Sequence, residues 1–302
     1  MKLPTISIVT PSLNQGRFIR TAIRSILDQE YAGLEYLVMD GGSKDESCAV
    51  ASEFIPRLTL VSEKDEGQSD AISKGFSRVS GEIICWLNAD DYYAAETLER
   101  IAAVFAEQPD VDLVYGNAEF VSEMGRPLGP AMQIESFSVD RLLMDGNFIV
   151  QPAAFFRRSA FETVGGLRKD LNWTMDYDLW IRLGKHCQVH RIPETLAYVR
   201  CYAGTKTAAG GRRRLTEVEQ MIKGHGGPGL PALFRLEAAA LAAREAVQFA
   251  EQSKICKALR SAIAAFGYLA FSPRTIATLA FPRTWRVIRA SRQRDSRIAL
   301  GL

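Results

Sequence analysis

Between residues 5 and 107 the sequence alternates four times between a short apolar run and a longer stretch of helical period, and this alternation constrains the fold most. Residues 5–10 form a β-branched run that Pro11-Ser12-Leu13-Asn14 stops. A helix follows, with Phe18, Ile19, Ala22, Ile23, Ile26 and Leu27 on one face and Arg17, Arg20, Arg24 and Asp28 on the other. Residues 34–39 are the second strand, ending at Asp40-Gly41-Gly42-Ser43, and a helix covers residues 46–54. Residues 58–62 are the third, leading through Lys64-Asp65-Glu66-Gly67-Gln68 into a helix that ends at Phe76. Residues 83–87 are the fourth, and a helix spans residues 95–107. Such a pattern builds right-handed βαβ units, so the expected class is α/β with a mostly parallel sheet flanked by helices. The loops after the strands gather along one edge, which brings Asp40 and Asp90/Asp91 together.

The fourth strand carries the chemistry. Ile83-Ile84-Cys85-Trp86-Leu87 is apolar enough to be buried and runs straight into Asn88-Ala89-Asp90-Asp91-Tyr92. Adjacent carboxylates repel each other, and at the mouth of a buried strand a cation commonly holds them. The alternative is a solvated turn in which Asp90 or Asp91 caps the next helix. No Gly-x-Gly-x-x-Gly follows the first strand, and no Gly-x-x-x-x-Gly-Lys-Ser/Thr occurs anywhere. A phosphate-bearing ligand at this edge therefore needs its charge met otherwise, which favours a divalent metal at Asp90, with Asp91 beside it.

Charge is unevenly spread. Residues 1–253 carry 27 Lys/Arg against 34 Asp/Glu, and residues 254–302 carry ten against one. An acidic body argues against nucleic acid as a partner, and the basic tail calls for a partner of its own. The five cysteines are scattered without a Cys-x-x-Cys pair, which fits reduced thiols in a cytoplasmic protein and offers no zinc site. The N-terminal residues lack the apolar region of a signal peptide, and no apolar run is long enough to span a bilayer.

Several segments carry a family resemblance. They are Thr10-Pro11-Ser12-Leu13-Asn14-Gln15, Asp40-Gly41-Gly42-Ser43-Lys44-Asp45, Asp65-Glu66-Gly67-Gln68-Ser69-Asp70-Ala71 and Leu87-Asn88-Ala89-Asp90-Asp91. Gln151-Pro152-Ala153-Ala154-Phe155-Phe156-Arg157-Arg158 and Met175-Asp176-Tyr177-Asp178-Leu179-Trp180 continue the series. In this order the chain resembles family 2 glycosyltransferases of the GT-A fold, a Rossmann-like architecture, over residues 4–205. The resemblance implies inverting transfer of a sugar from a nucleotide-diphosphate sugar to a hydroxyl of a glycan or lipid-linked acceptor. It implies donor contacts at Pro11, Ser12, Asn14, Asp40, Gly67, Gln68, Asp70, Asn88 and Asp90, with Asp40 on the nucleotide base. It implies Mn²⁺ or Mg²⁺ at Asp90 and Asp91, and Asp176 as catalytic base. The chemistry asks for the same residue types. Charge builds on the leaving phosphate, where a metal is a Lewis acid, and the attacking hydroxyl loses a proton to one carboxylate on the opposite face. Asp176 also reads as the N-cap of an amphipathic helix, a role compatible with that of base, and Asp178 points elsewhere on it.

The chain departs from the family pattern at three positions. Asn88 stands for the first Asp of an Asp-x-Asp, although an amide still accepts a ribose hydrogen bond. Met175 stands for the Glu before the base, and Tyr202 for a His that helps hold metal or diphosphate. These departures keep one alternative open, a degenerate nucleotide-sugar-binding scaffold without catalysis, against which the retained acids Asp40, Asp90, Asp91 and Asp176 argue. Nucleotidyl transfer is disfavoured by the absence of a Gly-rich basic loop after the first strand. Trp173 is either a stacking platform for an acceptor sugar or part of the core. His186 and His190 diverge if residues 187–192 form a strand. Gly210-Gly211-Arg212-Arg213-Arg214 reads as a solvated loop or as a lid over the diphosphate.

Past residue 205 the strand pattern stops, which divides the chain into a catalytic domain, 1–205, and a helical C-terminal region, 206–302. Residues 215–222 and 233–253 have helical character. Two apolar segments, 262–271 and 276–281, precede Arg283, Arg286, Arg289, Arg292, Arg294 and Arg297, with Phe281, Trp285 and Ile288 at one-face spacing. This composition suits an interfacial helix on anionic lipid, and a partner-binding or solvated helix is the alternative. With the family resemblance, it points to a bacterial cell-envelope polysaccharide enzyme, peripheral at the inner face of the membrane.

Overall fold

The computed structural model describes residues 3–131, 136–252 and 254–269. The expected alternation is present as β1 (Ile6–Ser12), α1 (Gly16–Leu27), β2 (Leu34–Asp40), α2 (Ser47–Ser52), β3 (Thr59–Ser62), α3 (Gln68–Phe76) and β4 (Ile83–Trp86). β1 pairs in parallel with β2 on one side and β4 on the other, and β3 pairs in parallel with β2. The first strand does not stop at Pro11 but continues to Ser12. The ladder explains why. Even-numbered β1 residues bond toward β2, as Ser12 does by accepting the Gly41 N–H at 2.8 Å. Odd-numbered residues face β4, where the Leu87 N–H donates to the Val9 carbonyl and strand pairing has ended. Pro11 lies beyond that point on the same side, so its missing N–H breaks no ladder bond.

The chain continues with β5 (Tyr92–Tyr93), α4 (Thr97–Glu107), β6 (Leu113–Ser122), β7 (Pro127–Pro130), α5 (Val139–Met144), a 3₁₀ turn (Gln151–Ala153), β8 (Ala154–Arg157), α6 (Arg158–Thr163), α7 (Met175–His186) and β9 (Val189–Cys201). The sheet runs β3-β2-β1-β4-β8-β6-β9-β5, with β7 on β6. β8 is antiparallel to both neighbours, whereas β6 and β9 are parallel. Period-2 alternation divides β4 between the two faces of the sheet. Ile83 and Cys85 join the cluster that contains Ile8, Ile19 and Ile23. Trp86 points the other way and stacks on Trp180 of α7, with ring centroids 5.9 Å apart and planes 12° from parallel. Burying an aromatic or aliphatic side chain of this class stabilises by about 1.5–3 kcal/mol, and the stack adds about 0.5–1.5 kcal/mol. This stack pins α7, which carries Asp176, to the strand that delivers Asn88-Ala89-Asp90-Asp91.

Contact density parts the chain into two compact units. One comprises the residues up to Ser138 with Asn147–Cys201, and the other comprises Val139–Gly146 with the residues from Tyr202 on. The division falls at 201/202 rather than 205, and α5 belongs to the second unit although it lies far upstream. That unit holds α8 (Lys206–Gly224), α9 (Ala232–Glu251) and α10 (Ile255–Leu269). The segment expected to be a loop or lid, Gly210 to Arg214, is helical, with one kink at Gly211 (φ 47°, ψ −135°). Its arginines are held from α9: Arg212 pairs with Glu245 and Arg214 with Glu237. For Arg212 and Arg214 those partners give the polar stretch a reason to be helical. Among the described residues no helix is long and apolar enough to cross a membrane. The basic segment around Trp285 lies outside the described residues.

Candidate active site

Two loops meet at the carboxyl ends of β1 and β2, where Ser12 and Asp40 are register partners. Asp40 is buried, and its oxygens accept from the Gly42 N–H (3.0 Å), the Ser43 N–H (2.9 Å), the Ser43 hydroxyl and the Ser62 hydroxyl (2.9 Å). Burial pushes this carboxyl up, and the donors of Ser43, Cys48 and Ser62 outweigh it, holding Asp40 below the ordinary carboxylate range. The Asp65 carboxylate lies close over Gly41, so a Cβ there would come within 2.5 Å of it and the Asp65 side chain would have to move. Asn14 takes a left-handed backbone (φ 53°) and ties this turn to the next: its N–H donates to Ser43 Oγ, and its Oδ1 accepts the Lys44 N–H, both at 2.8 Å. Ser12 Oγ is buried here without a hydrogen-bond partner in the protein.

Gly67 precedes α3 in the N-cap place, where its φ of 117° favours glycine, and no side chain caps the helix. Gln68 and Ser69, the first two residues of α3, reach in different directions. The Gln68 amide donates to Asn88 Oδ1 at 2.6 Å, and the single Ser69 O–H has two acceptors within reach, Met175 Sδ at 2.7 Å and the Leu171 carbonyl at 3.1 Å. Asp70, expected on the donor, is committed elsewhere. Its oxygens hold Lys169 (2.7 Å) and Lys74 (2.8 Å), and these two cations keep its carboxyl far below the ordinary range. It joins α3 to the segment before α7.

The acidic pair separates into two roles. Asp91 is buried; its Oδ1 accepts the Arg200 backbone N–H at 3.0 Å and its Oδ2 accepts the Asn88 amide at 3.2 Å. Burial, and then the Asp90 charge, raise its carboxyl well above the ordinary range against these hydrogen bonds. Asp91, expected at the metal, anchors the loop to β9 through the Arg200 N–H. Asp90 is half-buried at the end of the same loop. Among the described residues no three His, Cys, Asp or Glu converge as a metal site. Mg²⁺ and Mn²⁺ often bind through one carboxylate, water and substrate phosphate rather than an all-protein cage, and Asp90 fits that pattern.

Asp176 is half-buried in the first turn of α7, with Thr174 in the N-cap place that the sequence suggested for Asp176. The Asn147 amide lies 3.5 Å from Asp176 Oδ2. Asp178 is fully buried and paired with Arg182 at 2.7 Å, so it is an internal strut, pointing away as expected. Gln151, quoted in a motif but not expected at the site, donates to the Trp86 carbonyl at 2.7 Å and accepts from Asn88. Its signal in the sequence is a polar residue and a proline placed just before a buried apolar strand.

The family model described as "Glycosyl transferase family 2" matches residues 7–165. A "PGL/p-HBAD biosynthesis glycosyltransferase" of Mycobacterium bovis is 35% identical over 187 residues, covering 60% of this chain and 70% of the relative. An "uncharacterized glycosyltransferase" of Rickettsia prowazekii is 26% identical, covering 73% and 71%. In fold, the chain resembles S. aureus TarS 1-349 in complex with UDP-GlcNAc, with a TM-score of 0.62 and 16% identity, covering 98% of this chain and 92% of that one. It also resembles the mannosyltransferase PcManGT from Pyrobaculum calidifontis, in complex with GDP-Man and Mn²⁺, with a TM-score of 0.58 and 20% identity over 97% and 88%. The fold is GT-A, and the chain belongs to glycosyl transferase family 2.

Proposed function

We propose that this glycosyltransferase moves a sugar, with inversion, from a nucleotide-diphosphate sugar to a hydroxyl of a glycan or lipid-linked acceptor. Asp176 is the general base, and Asp90 holds Mn²⁺ or Mg²⁺ with the donor diphosphate. One observation carries this reading: consecutive residues at the start of α3 bind the two acid-bearing segments, Gln68 on Asn88 and Ser69 on Met175. One short helix terminus thereby sets the donor loop and the base segment relative to each other. That the two similar structures named above hold nucleotide sugars, one with Mn²⁺, supports the donor class.

When bound, the metal would neutralise charge on the diphosphate. Asp90 would supply the carboxylate ligand, and Asp91 keeps the loop in place through Arg200. Ser12 Oγ and the turn around Asp40 face the nucleoside end, where Asp40 discriminates the base. Asp176 accepts the acceptor proton as the new glycosidic bond forms, and Asn147 steadies its Oδ2. A membrane-facing acceptor accords with the basic tail, which would hold the enzyme at an anionic surface.

The test is thermal stabilisation by UDP-, GDP- and TDP-sugars with Mn²⁺, with Mg²⁺ and with EDTA. One donor class should raise Tm in the presence of metal, since ligand at 100 times Kd contributes about 2.7 kcal/mol. Asp90→Ala should abolish that metal-dependent gain. Equal stabilisation with EDTA and in the variant would remove the metal, and no response to any donor would remove the proposal.

A further inference from the structure

Asn88 sits where an Asp-x-Asp motif has its first acid, and both hydrogens of its amide and its carbonyl oxygen have partners within the protein. Nδ2 has two hydrogens and two partners, Asp91 Oδ2 and Gln151 Oε1, each at 3.2 Å. Oδ1 accepts from Gln68 Nε2 at 2.6 Å. Gln151 in turn donates its Nε2 to the Trp86 carbonyl at 2.7 Å.

The direction of this chain of amides follows from its end. A backbone carbonyl only accepts, so Gln151 must turn its NH₂ to Trp86 and its carbonyl oxygen to position 88. Residue 88 must then present a donor to Gln151. The same donor group meets Asp91, whose other oxygen is taken by the Arg200 N–H. An aspartate at 88 has no hydrogen to give when ionised. It would set a carboxylate against the Gln151 oxygen and against the buried Asp91, with Asp90 also nearby in the chain.

We propose that Gln151 and Gln68 are positioning residues that clamp the Asn88 amide, and that asparagine rather than aspartate is the competent residue at 88 because of them. The clamp fixes the path of the loop between the end of β4 and Asp91, and with it the place of Asp90. This rests on the reading of Asp90 as the donor-metal ligand, although the clamp itself can be tested without any ligand.

The two ideas about position 88 predict opposite signs. If Asn88 is a weakened acid, Asn88→Asp should tighten metal-nucleotide binding. If it is clamped, Asn88→Asp should weaken binding by about tenfold or more, and so should Gln151→Glu, which keeps the acceptor for Asn88 but loses the donor for Trp86. The double change Asn88→Asp with Asp91→Asn returns an amide donor between the two positions and should recover part of the loss, which a general structural defect would not.

Calorimetry of UDP and of GDP, each with Mn²⁺, on the full chain reads these effects. In parallel, ¹⁵N spectra of the ligand-free protein read hydrogen exchange of the Asn88 side-chain amide. Exchange should be at least tenfold slower than in a short peptide and should speed up in Gln151→Met. Tighter binding by Asn88→Asp, or peptide-like exchange in the wild type, overturns the clamp. If neither nucleotide binds the wild type with Mn²⁺, the donor reading fails for those bases, and the exchange measurement alone decides the clamp.

Discussion

The Ser69 hydroxyl donates to Met175 Sδ at 2.7 Å, which sets the first turn of α3 against the first turn of α7 although 106 residues separate the two. Met175 is buried and occupies the position before Asp176. Replacing it by glutamate, the residue of the family pattern, would bring a carboxylate into a dry contact that also faces the Leu171 carbonyl. Met175→Glu should lower stability by about 2 kcal/mol or more, whereas Met175→Leu, close in volume, should stay within about 1.5 kcal/mol. Urea unfolding distinguishes them; equal midpoints for the glutamate variant and the wild type would mean that the contact is not dry.

Asp70 gives the molecule an acid-sensitive joint. Its folded-state pKa is depressed by Lys169 and then Lys74, so the stability it contributes is fully present above the ordinary carboxylate pKa. That contribution is lost progressively as pH falls below about 4 toward the folded value. Asp70→Asn should cost about 1–3 kcal/mol at pH 7 and almost nothing at the acid end, so the two stability curves converge as pH falls. Parallel curves across that range would contradict the assignment.

Much of this architecture is legible in the residue pattern, and its gaps have physical causes. The βαβ alternation up to β4 is visible because β1, β2 and β4 are largely buried apolar runs, and the half-exposed edge strand β3 still stands out as a short apolar run between polar stretches. The span from β6 to β9 is less so, since Glu119, Pro193, Glu194 and Arg200 interrupt its apolar runs while side chains elsewhere satisfy the ladder. Pro11 reads as a stop until β4 is known to have left its side. α8 is hidden by Gly210 and Gly211 and three arginines, two of which, Arg212 and Arg214, find partners more than twenty residues on in α9. At the site, Asp40, Asp90 and Asp176 are visible as acids after strands or in motifs. The division of labour between Asp90 and Asp91, and the diversion of Asp70 to Lys169, depend on contacts between distant segments that no local spacing encodes.

Asp178 and Asp176 lie two residues apart and should answer mutation in opposite ways. Asp178 is fully buried against Arg182, so Asp178→Asn leaves a guanidinium short of its counter-charge and should destabilise by about 3–5 kcal/mol. Activity would then fall with the folded fraction and recover at lower temperature. Thermal unfolding beside activity checks this; a stable but inactive Asp178→Asn would move the catalytic role toward that residue.

The C-terminal residues 273–302 carry seven arginines and one acid. Their removal should leave donor binding intact but abolish sedimentation with anionic liposomes. Full-length binding should weaken with salt, since each basic residue near such a surface contributes about 1 kcal/mol and screening acts over about 10 Å at 0.1 M. Equal sedimentation of both proteins would assign the tail to a soluble partner or to solvent.

The role of Asp176 as base is tested most directly by single-turnover transfer from a bound donor in Asp176→Asn. The amide keeps the size and the neighbour Asn147 but lacks the basicity to take the acceptor proton. Donor affinity should change by no more than about twofold while the transfer rate falls by about 10²-fold or more. An unchanged transfer rate with full donor occupancy would contradict the account and place the proton acceptor elsewhere.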